Sequence, residues 1–224
     1  RPLSAPATPS ACPTVLPTDQ PWFDAFVAGF RLWFGDADTP RDPDRAVPLL
    51  CHAARLGHGG AALLLSTVFE ELAQDADARQ EPRTARTFSR LSIVYRTAAF
   101  WSDADSPDVE LDHESETAWA LARQAPPEPR LWNAIDALCG LTGDDHRPDP
   151  DGALQGFEAL AASHPVHATF LASGAAEEAA ERHADPVSAR ALMERARANL
   201  VRSAGAGNRA AQKRLFHARA GERG

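Results

Sequence analysis

The sequence predicts an all-α fold of about ten helices stacked side by side as antiparallel hairpins, and three observations predict it. From Asp19 onward apolar residues recur at helical spacing, and no period-two run of β-branched residues interrupts them. Proline, glycine and aspartate cluster at short intervals, and the segments between them have ordinary helical lengths of about 12 to 20 residues. One register of small residues also recurs along the chain, as expected of a repeat architecture.

The elements follow in order. Residues 1–21 are rich in proline and small polar residues, which offer too little apolar surface to offset ordering entropy, so they are expected to form a flexible tail. The chain begins at Arg1, as expected of a trimmed form. A tail of this kind suits a segment left after signal-peptide removal, so a periplasmic or secreted location is expected, with a cytoplasmic one as the alternative. A single domain is expected over residues 22–220, ending in a short tail over 221–224. Its helices are separated at Asp36–Asp42, Leu56–Gly60, Asp75–Pro82, Asp103–Pro107, Ala125–Pro129, Thr142–Pro150, His164–Pro165, Ala184–Pro186 and Gly205–Asn208. Connections this short place consecutive helices antiparallel.

The register that recurs is anchored at Ala46. Leu49 follows at +3, Ala53 and Ala54 at +7 and +8, Gly57 at +11 and Ala61 at +15. Anchors at Ala153 and Ala196 give Gly156, Leu160, Ala161, His164 and Ala168, then Asn199, Ser203, Ala204, Gly207 and Ala211. A fainter copy starts at Leu91, with Val94, Ala98, Ala99 and Ser102. Two copies begin with acid-proline-acid, Asp42-Pro43-Asp44 and Asp149-Pro150-Asp151, and a third with Asp185-Pro186, seven residues further upstream of its anchor. Aspartate before proline is an N-cap followed by the helical position where a missing N–H costs nothing. The second acid meets the positive end of the helix dipole. Positions +3, +7 and +8 share a face on which alanine lets a neighbouring helix come close. Glycine at +11 suits the left-handed conformation that closes a helix. Pro48 is the misfit, tolerated near the first turn or kinking the helix.

With Phe26-x-x-Gly29-x-x-Leu32-Trp33-Phe34-Gly35 ahead of it, the stretch Asp42–Ala61 resembles the Sel1-like repeat, a relative of the tetratricopeptide repeat. The copies at 149–168 and 196–215 match in part, and 65–148 matches poorly. The resemblance implies a right-handed α-solenoid that binds proteins, often in bacterial envelope, secretion or toxin-related settings. Scarce lysine with abundant arginine, alanine and proline also suits a GC-rich bacterial coding sequence.

The candidates for chemistry are few. Arg147, Asp149, Asp151, Gly152 and Glu158 fall at spacings of a calcium loop, but arginine stands where the first aspartate ligand is required, and helix capping explains the acids. His113-Glu114 begins a zinc-protease pattern that ends in Thr117 where the second histidine belongs, and the acids around it suit a solvated face. Cys51 and His52 are adjacent, so on a helix they do not face each other. Cys12, Cys51 and Cys139 allow at most one internal disulfide and lack metal-ligand spacing, and Cys51 and Cys139 suit a buried apolar role. No nucleophile elbow, phosphate loop or dinucleotide fingerprint is present. No catalytic residue, cofactor or metal is therefore expected.

Two features point to partners instead. Trp22, Phe23, Phe26, Phe30, Trp33 and Phe34 crowd the first helix, either as core and N-terminal cap or as an aromatic face for a partner. Residues 181–224 carry ten basic side chains against four acids, Arg190, Arg197, Arg209 and Arg214 among them, on a chain whose net charge is -8. Such a basic end either solvates the terminal helices, docks an acidic partner or guides like molecules head to tail. The acidic whole argues against nucleic acid, and no long uncharged stretch suits membrane insertion. The expected function is non-catalytic protein binding, pointedly the neutralising or escort of a toxin by an exported protein. An envelope or secretion scaffold is the alternative, and a helical hydrolase with carboxylates in its cleft is the rival of another class.

Overall fold

A computed structural model describes residues 20–35, 38–99, 101, 128–140 and 147–221. Nine helices run through them: α1 (Phe23–Phe34), α2 (Pro43–Arg55), α3 (Gly59–Ala78), α4 (Pro82–Ala99), α5 (Pro129–Cys139), α6 (Pro150–Leu160), α7 (His167–Arg182), α8 (Pro186–Gly205) and α9 (Arg209–Gly221). No strand occurs among the described residues. The helix expected over 107–125, the His113-Glu114 cluster, Cys12, residues 1–19 and 222–224 lie outside them.

Acids start the helices as their chemistry requires. The Asp42 carboxylate accepts from the Arg45 N–H at 3.2 Å, and Asp149 accepts from the Gly152 N–H at 2.9 Å. Asp185 accepts from the backbone N–H groups of Val187 and Ser188 and from the Ser188 hydroxyl. Each of the three precedes a proline in the first turn. Pro48 is exposed, and α2 runs through it unbroken.

Glycine closes two helices in the same way. Gly57 and Gly207 both have φ +104°, and each donates its N–H to the residue three before it. The next residue, His58 or Asn208, donates to the carbonyl five back, Ala53 or Ser203, at 3.1 Å in both turns. These paired bonds satisfy the last carbonyls of α2 and α8. The middle copy has His164 at +11 and no residue of positive φ there; α6 closes instead with the His164 N–H on the Leu160 carbonyl at 2.8 Å.

The anchor, +7 and +15 residues are buried in all three copies, Ala46, Ala53 and Ala61, Ala153, Leu160 and Ala168, Ala196, Ser203 and Ala211. Position +3 is less uniform than expected: Leu49 and Gly156 are half-buried and Asn199 is buried. The consistent large residue lies at +4, where Leu50, Phe157, Leu200 and, in the faint copy, Tyr95 are all buried. On a helix the anchor, +4 and +7 form one row, and +3 falls to its side.

Each helix packs on its successor, and α4 also meets α7. Small residues set the closest approaches. A Cβ on Gly29 would stand 2.9 Å from Leu50, and one on Gly156 would stand 2.8 Å from the Ala134 Cβ, so α1–α2 and α5–α6 depend on a missing side chain. One apolar cluster extends from Trp22 to Ala196, and a small satellite of Phe170, Leu200 and Ala211 lies under α9.

Candidate functional site

The aromatic helix is built inward. Trp22, Phe26 and Trp33 are buried and Phe23 is half-buried. Phe30 and Phe34 turn outward instead, 44% and 56% exposed, with rings 4.6 Å apart. A residue not singled out from the sequence completes this end. The His58 ring stacks on Trp22 at 3.8 Å and meets Phe26 edge-on at 4.3 Å. His58 is buried, and its Nε2 has no hydrogen-bond partner among the described residues. Burial pushes its pKa from 6.5 down to about 4, so the ring is neutral at physiological pH.

Cys51 and Cys139 meet through a third residue. The Tyr95 hydroxyl on α4 lies 3.0 Å from the Cys51 sulfur on α2 and 3.5 Å from the Cys139 sulfur on α5. Both thiols are free. Burial raises the Cys51 pKa to about 12 and raises Cys139 and Tyr95 as well, which removes the thiolate a nucleophile would need. His52 points to solvent, as adjacency on a helix requires. Beside the thiols, Arg55 pairs with Asp136 and donates to the Asn133 side chain at 2.8 Å. Burial raises the Asp136 pKa against the opposing pull of Arg55.

The carboxylates that converge are those of α7. Glu177, Glu178 and Glu181 meet Arg86 and Arg90 of α4, with Arg182 and Arg214 beside them, while Arg83 donates to the Glu181 backbone carbonyl. Arg90 reaches Glu178 and Glu181, the latter at 2.6 Å, and the Thr87 hydroxyl donates to Glu178 at 3.0 Å. Burial opposes the Arg90 charge, but the hydrogen bonds to Glu181 and Glu178 outweigh it and hold the guanidinium above its usual range. The Arg90 hydrogen bond holds Glu181 below the ordinary carboxylate range. A carboxylate so neutralised is a poor proton donor near neutral pH. The sequence shows these rows as Arg83, Arg86, Arg90 and Glu177, Glu178, Glu181, each at helical spacing, but not that they meet.

The calcium spacing is also taken up internally. Asp149 caps α6, and Glu158 binds Arg195 and the Asn199 amide, the latter at 3.0 Å. The Arg195 hydrogen bond lowers the Glu158 pKa. No three of His, Cys, Asp and Glu come together as a metal site among the described residues.

The expected partner-binding arginines do not act alike. Arg190 and Arg197 are exposed on α8, with Arg190 on Glu194 at 3.2 Å. Arg209 is exposed at the start of α9, and Arg214 is engaged with Glu177 at 2.8 Å. Among these arginines, apolar side chains missed in the sequence stand in solvent: Val187 at 75%, Val201 at 50% and Phe216 at 70% exposed, with Met193 beside them on α8. No helix among the described residues is long and apolar enough to cross a membrane. No family model matches the chain, nor does any curated protein or solved structure.

Proposed function

We propose that the chain is a non-catalytic protein-binding module of degenerate Sel1-like repeats, arranged as a right-handed solenoid of about ten helices. One observation carries the reading: copies 150 residues apart in sequence share the same buried anchor, the same buried large residue at +4 and the same two-bond glycine turn. A chain that repeats one packing unit builds an extended surface, and its function lies in the side chains that surface displays. On α8 and α9 these are arginines and apolar groups, a combination enriched at protein interfaces. The groups suited to catalysis, Cys51, Cys139, Glu178 and Glu181, are spent on helix-to-helix contacts, which weighs against the hydrolase reading.

Within this reading the partner is an acidic protein, pointedly a toxin that an exported bacterial protein neutralises or escorts. An envelope or secretion scaffold is the alternative. The test is affinity purification of the tagged chain from its native cell with mass spectrometry of the co-purifying proteins. A stoichiometric partner of a different sequence is expected, bound more weakly at high salt and by the Arg190→Glu/Arg197→Glu variant. Relief of that partner's toxicity supports neutralisation, and an envelope protein in its place supports the scaffold. Recovery of no protein partner, or turnover of a substrate by the purified chain, overturns the reading.

A further inference from the structure

Two thiols from helices that are not successive converge on one oxygen. Cys51 of α2 and Cys139 of α5 stand 88 residues apart in the chain. Both nevertheless reach the Tyr95 hydroxyl of α4, at 3.0 Å and 3.5 Å. Their sulfurs therefore lie no more than about 6.5 Å from each other, the two distances end to end. The same two helices are held together one turn further on. Arg55, four residues after Cys51, pairs with Asp136 and donates to Asn133, three and six residues before Cys139. The two contacts are successive rungs between helices that pass each other in opposite directions, so the thiols meet in a fixed register.

Tyr95 is the wedge between the sulfurs. Its side chain is fully buried, and among the described residues its hydroxyl is met only by the two sulfurs, which are weak partners for a phenol. Burial holds both sulfurs as neutral thiols, which suits neither a nucleophile nor a metal ligand. A change of rotamer moves a cysteine sulfur by about 3 Å, so the gap closes within the reach of two side chains once the hydroxyl gives way. We propose that Cys51 and Cys139 are a disulfide site, a clasp that when closed ties α2 to α5 around α3 and α4. The clasp closes by exchange with a small-molecule disulfide such as oxidised glutathione while the chain folds, because buried thiols exchange slowly. One protein thiolate attacks the small disulfide, breaks its S–S bond and releases one small thiol. The second protein sulfur then attacks the mixed disulfide and releases the other. Two protein thiols are oxidised, one small disulfide is reduced, and both protons leave on the released thiols. The closed loop contains α3, α4 and residues 102–127, so the freedom it removes from the unfolded chain favours the folded one. Closing also strips the Tyr95 hydroxyl of both thiol partners, so Tyr95→Phe favours the closed form.

Refolding the full chain at pH 8 in graded mixtures of reduced and oxidised glutathione, with acid quench and mass spectrometry, tests the site. Wild type should lose two hydrogens in mass and yield one peptide pair joining Cys51 to Cys139, with Cys12 left as a thiol. The equilibrium constant for closing should be roughly 10- to 1,000-fold larger in the folded chain than in urea. Tyr95→Phe should raise the folded-chain constant by about 2- to 10-fold. Mixed disulfides with glutathione in place of the clasp, pairing of Cys12 with either thiol, or a constant no larger in the folded chain than in urea overturns the proposal. A helical Tyr95→Phe variant whose constant does not rise overturns it as well, because the hydroxyl is then not what the closed clasp displaces.

Discussion

His58 pays for its place between Trp22 and Phe26 with its basicity. Its pKa is about 4 in the folded chain against 6.5 when exposed, so the unfolded chain takes up the proton first as pH falls. The stability it allows is therefore complete above pH 6.5 and is lost progressively toward pH 4. The full loss is on the order of 3 kcal/mol, at about 1.4 kcal/mol per pKa unit. Urea unfolding between pH 7.5 and 4.5 checks this, and His58→Phe, which keeps an aromatic ring and removes the titration, should flatten the slope. An equal slope in both proteins would refute the assignment. The carboxylates held low, Glu158 and Glu181, act in a more acidic window, because their stability is lost only as pH falls below the ordinary carboxylate value of 4.5. Cys51 and Cys139 give a second prediction at this scale. Both should resist iodoacetamide at pH 8 in the folded chain and react once urea exposes them, followed by mass spectrometry of their peptides. Rapid native alkylation of either would contradict the buried Tyr95 bridge.

Turns and tethers between helices divide into those with local causes and those without. Gly57 and Gly207 stand at φ +104° in open space, so an added methyl meets strain from the backbone and not from a neighbour. Alanine at either should cost about 1 kcal/mol, measured by thermal or urea unfolding. Alanine at Gly29 should cost more, roughly 1–3 kcal/mol, because its Cβ would press on Leu50 at 2.9 Å. A Gly29→Ala no worse than Gly57→Ala would argue against that close packing. Acid caps and +11 glycines were readable from the sequence because each acts within a few residues of itself. The +4 row is equally present, in Leu50, Phe157, Leu200 and Tyr95, but a register set by small residues does not distinguish +3 from +4 as the place of the large one. The Arg90–Glu178 contact had no such local signal, because it spans 88 residues and depends on where α5 and α6 set α7 down. With Arg90 and Glu178 largely buried, truncating Glu178 to alanine should cost about 1–3 kcal/mol, because Thr87, Arg182 and one arm of Arg90 lose their acceptor while Glu181 still holds Arg90. The double variant Arg90→Met/Glu178→Leu should recover part of that loss, and a double-mutant cycle without coupling would remove the cluster from the account of stability.

Across the whole molecule, apolar support is unequal. The main cluster draws on α1 through α7 and reaches α8 at Ala196, whereas α9 rests on Phe170, Leu200 and Ala211, with Ala204 and Leu215 packed beside them. The polar ties at that end are the Asn208 amide on the Val166 carbonyl at 3.3 Å, the Asn208 side chain capping Ala211 at 2.9 Å and Arg214 on Glu177. The α4–α7 ion cluster, by contrast, links distant parts of the chain and should make α1 through α7 unfold together. Few buried apolar groups and an exposed outer face mark a segment that opens below the global free energy. Native-state hydrogen exchange should therefore show α9 and the last turn of α8 exchanging at lower denaturant than α2, α3 and α7. Ala211→Asp should widen that gap, because a charge would enter a fully buried site, while leaving protection in α2 and α3 unchanged. Exchange of α9 only by global unfolding, or loss of protection in α2 on substitution at Ala211, would show the satellite core to be continuous with the main one.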